Sequence, residues 1–226
     1  MKSVLISTRP KWCGLIASGR KPIEVRKTRP KIETPFKCYI YATKATKWFR
    51  SGIILTSDEL LWLSNGKIKM CDGFELWAEG EDYQCVNSKV IGEFICDNVE
   101  VLFDTNGNPE NYMTDILPSI LQKTALSYDE FGAYIGSRAD KNSIYGWHIS
   151  DLKIYDKPKE LSEFAVADKE AIRQCEYREQ SYYAFTDTGY IKNGFYCKEK
   201  DDWCFGCKRK PLARAPQSWC YVEVYK

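Results

Sequence analysis

Gly19-Arg20-Lys21-Pro22-Ile23-Glu24-Val25-Arg26-Lys27 predicts a turn followed by a short β-strand that carries one carboxylate between cations. Side chains along a strand alternate between its two faces, so Glu24 and Arg26 share one face and the apolar residues face the other way. Lys21 stands at the start of the strand, close enough to approach the same side. We therefore expect Lys21, Glu24 and Arg26 to form one polar group.

The sequence around this stretch is strongly basic. From Arg9 to Lys31, eight residues are Lys or Arg and only Glu24 is acidic, whereas the whole chain has a net charge of +2. Acidic residues concentrate instead between Cys71 and Ser88, where there is no Lys or Arg. A basic cluster of this density either binds a polyanion or lines a polar pocket.

The composition limits the class of protein. The chain has 226 residues, enough for one large domain or two small ones, and 28% of them are charged. No pattern of a signal peptide or membrane span is found, so we expect a cytoplasmic protein without membrane contact. In that compartment the ten cysteines are reduced, metal-bound or buried. His148 is the single histidine, which excludes His-rich metal sites and two-histidine mechanisms.

Hydrophobic periodicity predicts short elements on both sides of the basic stretch. An early helix begins with Thr8 as its cap and Pro10 in its first turn, and it ends at Gly19. Ser57 and Ser127 are predicted to cap two further helices. The other elements are strands at 4–7, 21–27, 36–42, 90–101, 144–155 and 218–225, and helices at 57–63, 112–121 and 128–135.

Strands dominate this pattern, and helices do not alternate with them regularly. That favours an α+β fold, a mixed or partly open β-barrel with an early helix and helical insertions, over a doubly wound sheet. We expect a single domain over residues 1–226, with insertions at about 44–89 and 104–140 and a Cys-rich segment at about 168–212.

The N-terminal pattern, Lys11-Trp12 on a helix followed by Gly19-x-Lys21-x-x-Glu24-x-Arg26, resembles the ASCH domain, a branch of the PUA-like β-barrel superfamily. Three later segments, beginning at Val90, Tyr145 and Pro216, are similar to those of phage- and prophage-associated members. The resemblance covers both ends and the middle of the chain.

The resemblance implies a PUA-like barrel with a pocket in one side that opens toward RNA or a modified nucleoside. Family members are proposed to bind RNA, some relatives deacylate N4-acetylcytidine, and one cleaves RNA. The family's lysine, acid and arginine correspond to Lys21, Glu24 and Arg26. In the amidohydrolase branch a nucleophilic threonine occupies the position of Glu24, and a carboxylate is not an equivalent acyl acceptor.

Several residues are candidates for binding nucleic acid. Bases can stack on aromatic rings, and cations can follow a phosphate backbone, but the same residues also serve as ordinary core and solvated surface. Ser218 and Gln217 precede the last strand and could reach the pocket. The candidate cations are Lys11, Arg20, Lys21, Arg26, Lys27, Arg29 and Lys31, and the candidate aromatic residues are Trp12, Tyr41, Trp48 and Trp147.

The second group of candidates is four cysteines in the polar late segment, Cys175, Cys197, Cys204 and Cys207. The last two form a C-x-x-C pair, and four thiolates in a segment too polar for its own core predict a structural zinc site. The spacing is irregular, so free thiols and disulfides stay open as alternatives.

Three functions follow from these patterns. The first is a PUA-like module that binds RNA or a modified nucleotide, with a possible regulatory role and a phage or prophage origin. The second is a hydrolase of RNA or a modified nucleoside, in which Lys21, Glu24 and Arg26 are catalytic. The third is a protein-interaction factor that uses the Cys-rich segment as its contact surface.

Overall fold

The computed structural model describes residues 3–44, 47–50, 53–56, 60–70, 83–103, 118–136, 143–181, 194–198, 202–203 and 208–224. Within these residues the chain forms two compact units. The first comprises Met1–Glu160 and Ala215–Tyr221, and the second Leu161–Arg214 and Val222–Lys226. No helix in the described ranges is long and apolar enough to cross a membrane.

The first unit holds most of the regular structure. Its helices are α1 Pro10–Ala17, α2 Pro118–Thr124 and α3 Tyr128–Ile135. Its strands are β1 Ser3–Thr8, β2 Ile23–Arg26, β3 Phe36–Ala42, β4 Lys47–Arg50, β5 Ile53–Thr56, β6 Leu61–Ser64, β7 Lys67–Met70, β8 Gln84–Cys85, β9 Val90–Cys96, β10 Val99–Phe103, β11 Ile144–His148 and β12 Ser150–Lys159.

The main sheet of the first unit has the order β12-β9-β3-β1, with the start of the last strand, β18 Trp219–Val224, beside β1. Strands β1 and β3 are parallel, and β9 is antiparallel to both β3 and β12. A smaller antiparallel sheet has the order β10-β11-β2 and another the order β7-β6-β8, while β4 and β5 pair separately. Within the described residues, neither the main sheet nor the sheet β10-β11-β2 closes on itself.

The second unit contains a short 3-10 turn, Leu161–Glu163, and the helix α4 Lys169–Arg173. Its strand β13 lies between the end of β18 and β17, with Phe164 and Leu212 buried. The strands of this unit are β13 Phe164–Ala167, β14 Arg178–Ser181, β15 Gly194–Cys197, β16 Asp202–Trp203 and β17 Arg209–Pro211.

The core of the first unit lies against the main sheet. Strand β1 is buried on both faces, as expected for a strand with a parallel neighbour in a covered sheet. Leu61, Leu63 and Val86 from the predicted insertion at 44–89 belong to this same core. A second cluster, which includes Val25, Phe131 and Ile144, joins α3 to the smaller sheet.

The predicted α+β class, rich in strands and with open sheets, is confirmed. The single-domain description of residues 1–226 stays a prediction. The third strand is confirmed at Phe36–Ala42, and Ser127 is the predicted N-cap of α3, where it forms a capping box with Glu130. Gly19 follows the C-cap of α1 with φ +73°, which glycine adopts without steric cost.

Other boundaries were predicted wrongly. Arg9, not Thr8, is the N-cap of α1, because Thr8 is still paired in β1. In the described part of the predicted helix 57–63, residues 61–63 belong to strand β6, in which Leu61 and Leu63 alternate with less buried residues. The long strands predicted at 90–101 and 144–155 are each divided in two, at 97–98 and at Ile149, where the chain passes between sheets.

The helix predicted at 112–121 lies partly outside the described residues. Its described part belongs to α2, which continues to Thr124.

Gly92 is required where the paired strands β9 and β12 approach each other closely. A Cβ atom there would lie 2.4 Å from the backbone oxygen of Lys153, whereas one on Gly14 in α1 would meet nothing nearer than 3.8 Å. We expect Gly92→Ala to lower the free energy of unfolding by about 2 kcal/mol through overpacking. Gly14→Ala should raise it by about 0.5 kcal/mol, since alanine favours helix.

Urea denaturation of the two variants beside the unchanged protein measures both effects. Equal stability of the two variants would contradict the close approach of β9 and β12.

Candidate functional site

A pocket of about 940 Å³ opens in the first unit beside β2. Strand β2 supplies its floor, while α1 and the α2–α3 region supply walls. The chain just before β18 closes another side. The pocket lining includes Trp12, Lys21, Glu24, Arg26, Tyr134 and Ser218.

Three charged side chains meet in this pocket almost without solvent exposure. Lys21 is 3%, Glu24 5% and Arg26 6% exposed. A Glu24 carboxylate oxygen lies 2.8 Å from an Arg26 terminal nitrogen, and the other oxygen lies 3.7 Å from Lys21 Nζ. The polar group predicted from the strand pattern therefore forms, with Glu24 between the two cations. We call Lys21, Glu24 and Arg26 the buried triad.

Arg26 is held by main-chain and hydroxyl acceptors from two other segments. One terminal nitrogen donates to the Ser218 carbonyl at 3.1 Å and to its hydroxyl at 3.3 Å. The other donates to the Ser7 carbonyl and the Thr8 hydroxyl, both at 3.1 Å. Arg26 Nε is buried and has no acceptor in the described structure. Both ends of the guanidinium are thus occupied by the protein itself.

This geometry corrects the prediction that Arg26 is one of the cations that contact a nucleic-acid phosphate. A guanidinium binds phosphate through paired N–H groups, and here both terminal nitrogens already have protein acceptors. Arg26 instead fixes Glu24 and joins β1, β2 and the residue before β18. Ser218 reaches the pocket as predicted, but its observed contact is with Arg26.

Lys21 lies two residues before the start of β2, and its side chain lines the pocket. Its Nζ donates to the Thr124 carbonyl at 2.5 Å, at the last residue of α2, and lies 5.1 Å from the centre of the Trp12 ring. Burial lowers the pKa of Lys21 below the ordinary lysine value, because the interior disfavours the charged ammonium. Glu24 opposes that change and Arg26 reinforces it.

Trp12 lies half-buried on α1 at the pocket wall. Lys11 Nζ lies 4.5 Å from the centre of its ring, and Lys11 also pairs with Glu130 of α3 at 2.5 Å. Trp12 packs on the second core cluster as well. Trp12 is therefore both a packed residue and a pocket residue, and the stacking of a base on it stays a prediction.

The structure places other predicted nucleic-acid ligands away from the pocket. Trp147 is fully buried, with its ring against Phe36 and Trp219, so no base can stack on it. Tyr41 is 7% exposed in β3 and does not line the pocket. Burial of strand aromatics in the core explains both corrections.

Among the remaining candidates, Lys27 lines the pocket, with its Nζ 5.2 Å from the centre of the Tyr134 ring. Arg20 is exposed outside the pocket wall and donates to the Ser18 hydroxyl. His148 pairs with Glu100 at 2.7 Å and does not line the pocket either. The side chain of Trp48 lies outside the described structure.

The zinc prediction falls mostly outside the described residues. Cys204, Cys207 and the side chain of Cys197 are not described, and Cys175 is half-buried with a free thiol. Within the described ranges no group of three or more His, Cys, Asp or Glu residues could hold a metal. A zinc site at these four cysteines stays a prediction.

Sequence reasoning missed the part of the site that comes from α2 and α3. Tyr134 donates its hydroxyl hydrogen to the Val25 carbonyl at 3.2 Å, and Glu130 and Leu126 also line the pocket. The capping box at Ser127 predicts the helix, but no local pattern predicts that it packs on β2. The sequence did contain one indication of this packing: Phe131 and Ile135, four residues apart, form an apolar face of the helix, and both are buried.

The buried triad makes stability depend on Glu24. We expect Glu24→Gln to lower the free energy of unfolding by about 3 kcal/mol, because two cations stay buried without their carboxylate. Lys11→Gln is the matched control, since it breaks an exposed pair and should change stability by less than about 1 kcal/mol. Urea denaturation measures both, and equal effects would show that burial of the triad is unimportant.

Comparison with known proteins gives a distant structural likeness. No family model matches the chain, and no curated protein matches it. Among solved structures, ASCH from Zymomonas mobilis has a TM-score of 0.40 and 16% identity, covering 70% of this chain and 73% of its own. One single-residue mutant of that protein also has a TM-score of 0.40, at 16% identity, and covers 71% of this chain and 77% of its own. A second single-residue mutant has a TM-score of 0.40, at 15% identity, and covers 79% of this chain and 82% of its own.

Proposed function

We propose that the pocket beside β2 binds a nucleotide, in the manner of an RNA-binding module of the PUA-like ASCH type. The observation that carries this proposal is the convergence of Lys21, Glu24 and Arg26, each at most 6% exposed, on a pocket of about 940 Å³. A cavity of that size is ordinary for a small-molecule ligand. The cytoplasmic location and the phage or prophage origin stay predictions.

The chemistry of the walls fits a nucleobase. The Glu24 carboxylate accepts hydrogen bonds, as an exocyclic amino group or a ring N–H requires, and the Lys21 ammonium donates to a base carbonyl. Trp12 offers an aromatic surface for stacking. Arg26 acts through Glu24, whose position it fixes, and is therefore a positioning residue.

The energetics of the triad support a polar ligand. Removing three charged groups from water costs several kcal/mol for each ion, and well-packed apolar residues often give equal or greater stability. Arg26 Nε adds a buried donor without an acceptor in the described structure. A sequence that needed only stability would gain little from this arrangement, whereas a site that recognises hydrogen-bonding groups requires it.

A second candidate function, hydrolysis of RNA or a modified nucleoside, is favoured by one observation. Burial lowers the pKa of Lys21, which brings its neutral, basic form closer to physiological pH. Glu24 lies beside it as a second proton-transfer group. The third function, a protein contact through the Cys-rich segment, stays a prediction, since the side chains of Cys197, Cys204 and Cys207 lie outside the described structure.

Binding is tested by titrating the four ribonucleoside 5′-monophosphates and a single-stranded RNA of about eight nucleotides into the protein, followed by fluorescence and calorimetry. We expect Trp12→Leu to weaken binding about tenfold or more, because stacking contributes about 1–3 kcal/mol per base. Trp62→Leu is the control, since Trp62 is also half-buried but does not line the pocket. Failure of the unchanged protein to bind any of these ligands would overturn the proposal.

Catalysis is tested with Lys21→Met, assayed on the same RNA and on N4-acetylcytidine. We expect turnover to be lost, and the pH–rate profile of the unchanged protein should show an ionisation below the ordinary lysine pKa. Lys67→Met, at an exposed lysine of β7, is the control. Unchanged turnover in Lys21→Met would end the catalytic assignment, while binding by the Trp12 test would still stand.

A further inference from the structure

A second cavity, of about 920 Å³, is lined by the connection between β2 and β3. Residues 27–34 form most of its wall, and Asn98, Val99 and Tyr145 complete it. Three of the wall residues are cations, Lys27, Arg29 and Lys31, and one, Glu33, is an anion. We call this cavity the basic groove.

The connection that forms the groove is fixed at two points. The Trp219 ring nitrogen donates to the Thr28 hydroxyl at 2.9 Å, and the Lys31 amide donates to the Tyr221 hydroxyl at 2.7 Å. Pro30 between them is buried. The connection is therefore held against the start of β18, and its cations are presented from a defined backbone.

The cations of the groove differ from those surface lysines of this unit that pair with a glutamate. Lys11, Lys37 and Lys89 each pair with a glutamate. Lys27, Arg29 and Lys31 are exposed, and within the described structure none of them has an acidic partner. Two of them contact aromatic rings: Lys27 lies over Tyr134, and the Arg29 guanidinium is 6.0 Å from the centre of the Tyr145 ring.

The groove and the pocket are continuous along the chain. Lys27 and Thr28 line both cavities, directly after Arg26 of the buried triad. A ligand that fills the pocket with a base can therefore extend past Lys27 into the groove. Each cavity alone has the volume of a typical small-molecule site, so together they exceed what one nucleotide fills.

We propose that the basic groove binds the sugar-phosphate backbone of a single-stranded polynucleotide, one nucleotide of which occupies the pocket. This rests on the proposed function and adds that the ligand is a chain rather than a free nucleoside. Arg29 and Lys31 contact the phosphates that follow the bound nucleotide, and Lys27 contacts the phosphate at the boundary. RNA and single-stranded DNA share this backbone, and the experiment separates them.

The experiment compares fluorescence anisotropy of labelled single-stranded RNA and DNA of about eight nucleotides, of one mixed sequence, from about 50 to 200 mM salt. The groove variant is Arg29→Gln with Lys31→Gln, and Lys153→Gln with Lys157→Gln is the control. The control removes two exposed positive charges from β12, outside both cavities. Trp12→Leu reports on the pocket, and calorimetry with the monophosphates reports on it without the groove.

We expect the groove variant to bind the oligonucleotide on the order of tenfold more weakly at the lowest salt, with a salt slope smaller by about 1.4, since each phosphate contact contributes about 0.7. Its affinity for monophosphates should change less than about twofold, and the control should bind like the unchanged protein. Tighter binding of RNA or of DNA identifies which polymer is preferred, and either supports the proposal.

Two results would overturn the proposal for the basic groove, and they have different consequences for the pocket. If the groove variant keeps the affinity and salt slope of the unchanged protein while Trp12→Leu weakens binding, the groove is not a backbone site and the pocket function survives. If the unchanged protein binds neither monophosphates nor oligonucleotides, the proposed function fails and this inference fails with it.

Discussion

The ion pair between Glu24 and Arg26 is the interaction on which the site depends. Its 2.8 Å contact is almost without solvent, and the same guanidinium donates to Ser7, Thr8 and Ser218. One side chain thus joins the end of β1, the edge strand β2 of the smaller sheet and the chain before β18. Because these bonds cross sequence separations of up to 192 residues, the pocket exists only when the first unit is folded.

The strand alternation in 21–27 was sufficient to predict that Glu24 and Arg26 share a face. It could not predict what lies opposite that face, since alternation is a local property and burial depends on partners distant in sequence. All four residues of β2 are buried, so neither face is the solvated one that a lone strand suggests. The role of Arg26 changed for this reason, because its acceptors come from Ser218 and from β1.

The same limit explains the aromatic residues. Trp12 and Trp147 look alike in sequence, but Trp12 is half-buried and lines the pocket, whereas Trp147 is fully buried in the core. The helices α2 and α3 were predictable as elements but not as parts of the site. Their capping and apolar pattern predict them locally, yet their contribution to the site depends on Tyr134 and Glu130 meeting β2 and α1. The spacing of the late cysteines predicted a zinc site, but the side chains of three of them lie outside the described structure.

The two cavities imply two kinds of recognition that respond differently to salt. Charges in the buried triad are shielded from solvent, so mobile ions screen them weakly and their hydrogen bonds select the ligand by shape and donor pattern. Cations in the basic groove are exposed, so their attraction for an anion is strong at low salt and weakens as salt is added. Contacts to phosphate position a nucleic acid, and contacts to bases specify it. A connection of a few residues that lines both cavities would couple the two, because a backbone held at Lys27 places the adjoining base at the entrance to the triad.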